Sequence, residues 1–61
     1  MIGTACQNGD YVEVYNENGS YKFNKRGELY GFTSTTVSVK NGDYVEIYDE
    51  NGSYKFNKRV G

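Results

Sequence analysis

The chain has 61 residues, no histidine, no proline, a single cysteine (Cys6) and a net charge of −1. No intramolecular disulfide can form, no His/Cys zinc site can be assembled, and no overall positive field draws the chain to nucleic acid or anionic lipid. A chain this short lies near the lower limit for independent folding, and oligomerisation is the one common supplement left, so a homo-oligomer, in the first instance a dimer, is expected.

The first residues, Met1-Ile2-Gly3, bring neither a basic stretch nor a long apolar run. The expectation is a protein without a membrane segment or secretion signal, cytoplasmic, with Cys6 reduced. After a short leading strand around Thr4-Ala5-Cys6-Gln7 comes the main feature. Residues 8–27, NGDYVEVYNENGSYKFNKRG, recur as residues 41–60, NGDYVEIYDENGSYKFNKRV, with 17 of 20 positions identical at an offset of 33. The differences are Val14/Ile47, Asn16/Asp49 and Gly27/Val60. Aligning the copies sets Thr4-Ala5-Cys6-Gln7 against Val37-Ser38-Val39-Lys40. One domain over residues 1–61, made of repeats at about 1–27 and 34–60 joined by 27–34, is expected.

Each unit reads strand, Asn-Gly turn, strand, Asn-Gly turn, strand, and no window carries apolar residues at helical spacing. The fold class is therefore all-β: two duplicated three-stranded antiparallel meanders, about six strands. Such strands can form a small barrel or a sandwich with pseudo-two-fold symmetry, or exchange repeats in an intertwined dimer. Alternation puts Val12 and Val14 on one face with Glu13 on the other, and Val45 and Ile47 opposite Glu46. A two-residue turn at Asn51-Gly52 pairs Ile47 with Phe56, and a four-residue loop pairs Ile47 with Tyr54; either way Val45, Ile47, Tyr54 and Phe56 share a face. For the turn at Lys40-Asn41-Gly42-Asp43, a three-residue bulged loop is expected, because it pairs Val37 with Val45 and keeps one apolar face. The expected core is Val12, Val14, Tyr21, Phe23, Val37, Val39, Val45, Ile47, Tyr54 and Phe56, with Ile2, Leu29 and Phe32 closing its ends.

Opposite that core, Tyr11, Glu13 and Tyr15, repeated as Tyr44, Glu46 and Tyr48, make a tyrosine-rich face suited to an interface or a ligand platform. The strands YKFNKR interleave aromatics with cations, and Lys25, Arg26, Lys58 and Arg59 are the candidate anion contacts. Glu13 and Glu46 lie near Lys22 and Lys55, so local pairing consumes much of that charge, and nucleic acid is not the expected partner. Glu13 and Glu46 are the only hint of an acid–base pair. Equivalent environments do not push their proton affinities apart as such chemistry needs. Neither an enzyme nor a cofactor is expected. Tyr48-Asp49-Glu50-Asn51-Gly52 resembles the Y-D-x-x-G core of the tyrosine-aspartate repeats that build β-rich shells of large bacterial surface and toxin proteins. The likeness covers five residues, the first copy has Asn16 in place of the aspartate, and the 33-residue period differs, so it implies hairpin chemistry and no function. The functional expectation is a non-catalytic structural or protein-interaction module that self-associates through its tyrosines. The alternative is a module binding single-stranded nucleic acid or glycan.

Overall fold

A computed structural model describes residues 1–60. Seven strands run in order: β1 (Ile2–Asn8), β2 (Tyr11–Asn16), β3 (Tyr21–Arg26), β4 (Glu28–Phe32), β5 (Thr36–Asn41), β6 (Tyr44–Asp49) and β7 (Tyr54–Arg59). The joining stretch thus supplies an extra strand, β4, beyond the six expected. Antiparallel pairing makes two sheets, β1-β2-β3 and β4-β5-β6-β7, which pack face to face without closing into a barrel.

The two kinds of turn are reversed from expectation. At the first Asn-Gly site of each copy the loop has two residues: Asn8 pairs with Tyr11 around Gly9-Asp10, and Asn41 with Tyr44 around Gly42-Asp43. Gly42 has φ of 63° and Asp43 does not share the positive value, the pattern of a type II′ hairpin. At the second site the loop has three residues. The Asp49 carbonyl accepts from Gly52 N–H at 3.0 Å and Asp49 N–H donates to Ser53 carbonyl at 2.9 Å. The Asp49 carboxylate stabilises this loop by accepting from the N–H groups of Asn51 (2.8 Å) and Ser53 (2.9 Å). These bonds, Ser53's above all, hold its acid below the ordinary carboxylate range. The side-chain bonds favour a right-handed turn over a type I′ pair, so Asn18 and Asn51 do not become left-handed.

Two corrections to the core follow. Val37 lies opposite Tyr48 rather than Val45, and Val39 lies opposite Glu46. A bulge between Val14 and Tyr15, and its counterpart between Ile47 and Tyr48, then moves Tyr21 onto Tyr15 and Tyr54 onto Tyr48. Val14 still pairs with Phe23 and Ile47 with Phe56.

The buried cluster is Ile2, Ala5, Val12, Val14, Val37 and Val39, with Phe23, Leu29 and Tyr48 packed against it. Cross-strand partners share a face. The first sheet therefore turns its Ala5/Val12/Val14/Phe23 side inward, whereas the second turns inward the side bearing Val37, Val39, Glu46 and Tyr48. Val45, Ile47 and Phe56 lie on the second sheet's outer side. Val45 is buried there, flanked across the ladder by Lys40 and Lys58, whose aliphatic stems are long enough to cover a valine. Ile47 is half-buried and Phe56 is 49% exposed, so neither belongs to the buried core in which it was expected. Tyr21, Tyr54 and Phe32 are likewise exposed. Among the described residues no helix is long and apolar enough to cross a membrane.

Candidate functional site

In the first copy the tyrosine strand lies where its alternation puts it. With Val12 and Val14 facing the core, Glu13 and Tyr15 point to the outer side of the first sheet, beside Thr4 and Cys6 of β1 and Asn24 and Tyr21 of β3. The Tyr15 hydroxyl donates to Glu13 Oε1 at 3.1 Å. Its ring meets Tyr21 edge-on, with centroids 5.9 Å apart. The carboxylate beside it raises the Tyr15 hydroxyl above the ordinary tyrosine value, hydrogen bonding being the first cause. Tyr11, exposed, sits opposite Arg26 at the end of this surface.

The second copy repeats these contacts on the other side of its sheet. Tyr48 donates to Glu46 Oε1 at 3.1 Å and meets Tyr54 edge-on at 5.8 Å. Yet this strand faces the core, and Tyr48 packs against it. The Lys25 ammonium from the first sheet lies 4.7 Å from the centre of the Tyr48 ring, a cation–π contact bridging the layers. The Tyr48 hydroxyl is also raised, but here burial is the leading cause and the Glu46 bond the second. Nearly identical local sequences thus differ in their surroundings. Tyr44 stays exposed opposite Arg59.

The tyrosines and glutamates of the two copies therefore do not form one surface. Glu13 and Glu46 share no cleft, which leaves the acid–base pair without a common site. The four candidate cations are likewise dispersed. Lys25 turns between the sheets, Arg26 accompanies Tyr11 on the first sheet's outer face, Lys58 flanks Val45 on the second sheet's outer side, and Arg59 lies opposite Tyr44.

Two polar residues that alternation alone did not single out join the layers at one end. Gln7 Nε2 donates to the Gly9 and Gly27 carbonyls, each at 2.9 Å, and Gln7 Oε1 accepts from Leu29 N–H at 2.6 Å. In return, Asn41 Nδ2 donates to the Arg26 carbonyl and to Glu46 Oε1, both at 3.0 Å. The signal for Gln7 was its place in line with Ala5, on the inward side of β1, where a polar group needs partners. The cleft beside this clamp is bordered by both type II′ turns and by Asp10, Arg26, Glu28 and Lys40, whose opposite charges offset one another. No family model, curated protein or solved structure matches this chain.

Proposed function

We propose that the chain is a non-catalytic interaction module that self-associates, using the outer face of the first sheet. The observation carrying this reading is the set of Tyr11, Tyr15 and Tyr21, large aromatic groups with few side-chain torsions to immobilise, on that face with Glu13 and Cys6. The small size of the core supports it, since Val12, Val14, Val37 and Val39 are the only side chains of the described residues that are fully buried. Light scattering over a wide range of protein concentration tests the proposal. The mass and the melting temperature should rise with concentration, and Tyr11→Ser with Tyr15→Ser should abolish the rise. A wild-type chain that stays monomeric throughout contradicts it.

The second reading, an oligonucleotide or glycan ligand, is favoured by one feature: every residue of β7, the second YKFNKR strand, is exposed. Oligonucleotide binding that weakens steeply with salt and disappears on changing Lys55 and Lys58 would replace the first reading with this one.

A further inference from the structure

The two sheets do not meet through like faces. A face-to-face pair related by a two-fold axis would bury Val12 and Val14 against Val45 and Ile47. Instead, the valine face of the first unit lies on the tyrosine face of the second. The equivalent type II′ turns at Gly9 and Gly42 also border one cleft at the same end of the sandwich. Both features are those of units stacked in the same direction, the front of one on the back of the next.

Such a stack has two unused ends, and in the repeated strands each copies a surface that is buried inside the molecule. In the leading strands Thr4 and Cys6 replace Val37 and Val39, and Ser38 and Lys40 replace Ala5 and Gln7. The open end of the second sheet carries Val45, Ile47, Phe56 and Lys58, the counterparts of Val12, Val14, Phe23 and Lys25. The open end of the first sheet carries Glu13, Tyr15 and Gly19, the counterparts of Glu46, Tyr48 and Gly52. We infer that a second copy of this chain docks there by repeating the internal contact, its first sheet's tyrosine face lying on the second sheet's outer face. This rests on the self-association proposed above and names both surfaces and their orientation.

The internal interface specifies the contacts. Lys25 over Tyr48 becomes Lys58 over Tyr15 of the next molecule. Phe23 packs so closely on Gly52 that a Cβ there would lie 3.3 Å from its ring, whereas nothing lies within 4 Å of a Cβ at Gly19. Phe56, 49% exposed, would fill that space from the neighbouring molecule. The aliphatic contact is the weaker part of the match. Thr4 and Cys6 stand where the internal interface has Val37 and Val39, so the contact between molecules forms at higher concentration than the contact within one. Because the two docking faces differ, the contact is heterologous and extends into chains instead of closing as a dimer.

The test pairs two blocked variants of the whole chain. Cys6→Lys places a charge in the centre of the tyrosine face, at an exposed position the fold tolerates. Ile47→Lys does the same on the outer face of the second sheet, and Phe56→Asp serves if Ile47→Lys unfolds. In sedimentation velocity the wild type should grow beyond a dimer with concentration, each variant alone should stay monomeric, and their mixture should form a one-to-one dimer. Wild-type growth with no mixed dimer would overturn the inference while leaving self-association standing. If Cys6→Lys blocks association and Ile47→Lys does not, the tyrosine face pairs with itself and the front-to-back contact is wrong. If neither variant blocks it, association runs through strand edges and both surface assignments fail. A wild type monomeric at every concentration overturns this inference and the proposed function together.

Discussion

β2 and β6 are nearly the same strand, YVEVYN and YVEIYD, yet they bury opposite sides. In β2 the valines face the core and Glu13 and Tyr15 face out. In β6 the Glu46/Tyr48 side faces the core, while Ile47 faces out. The strand before each one makes the difference. β1 offers Ala5 in register with Val14 and places Thr4 and Cys6 on the other face. β5 does the reverse: Val37 and Val39 share a face with Tyr48 and Glu46, and Ser38 and Lys40 fall beside Ile47 and Val45. Two fully buried valines on β5 outweigh the pair on β6. A strand's own alternation therefore does not decide which side is buried; the summed face of the sheet does.

The strongest way to break this comparison is a charge at the same place in each copy. Val14→Lys buries an unpaired cation in the core and should unfold the protein, a loss of more than about 3 kcal/mol. Ile47→Lys, on an open side, should cost the monomer about 1 kcal/mol at most. Urea denaturation of dilute protein checks both, and equal losses would mean that β6 also buries its valine side.

The next largest effect comes from exchanging the leading strands. Writing the residues of β1 into β5, as Val37→Thr with Val39→Cys, should cost about 2–4 kcal/mol, because two fully buried valines become smaller or polar. The reverse exchange, Thr4→Val with Cys6→Val at exposed positions, should leave the isolated monomer within about 0.5 kcal/mol in the same assay.

A smaller contrast sits in the three-residue turns. Gly19→Ala and Gly52→Ala both force a side chain to positive φ, at 91° and 88°, costing roughly 1 kcal/mol. Only Gly52→Ala also pushes on Phe23, so thermal unfolding should show it as the more destabilising of the two.

The all-β class, the hairpins and the burial of Val12 and Val14 were legible from alternation and turn residues. Val37 and Val39 are buried too, but opposite Tyr48 and Glu46 and not through the turn expected to place them. The faces were not, because one apolar face per sheet was assumed, and that assumption selected the wrong loop at Gly42. Both loop types keep Gly42 left-handed, so the glycine could not choose between them. The bulges that move Tyr21 and Tyr54 were equally hidden, since YKFNKR alternates evenly and its irregularity arises in the ladder. For the candidate site, the Tyr–Glu pairs were visible as neighbours in sequence. Their distribution to opposite sides was not, because it depends on β5 and on the fold of the whole sheet.

The smallest expected effect is in the alkaline titration. Tyr48 and Tyr15 have hydroxyls raised above the ordinary value of 10.0. A raised folded-state value means that the fold favours the protonated phenol. That stabilisation is complete below the unfolded value near 10 and lost as pH rises through the folded value. Tyrosinate absorbance should show these two ionising above the ordinary tyrosine value. Tyr48→Phe should flatten the loss of stability above pH 10 more than Tyr15→Phe, because Tyr48 packs against the core and Tyr15 lies on an open face. Equal flattening would argue against the buried setting of the second copy.

Methyl-detected nuclear Overhauser spectroscopy tests the unlike-face packing most directly. The methyl groups of Val12 and Val14 should show contacts to those of Val37 and Val39 and none to Ile47, with the Lys25 side chain shifted upfield by the Tyr48 ring. Contacts from Val12 and Val14 to Val45 and Ile47, with Tyr48 free of the Lys25 side chain, would contradict it.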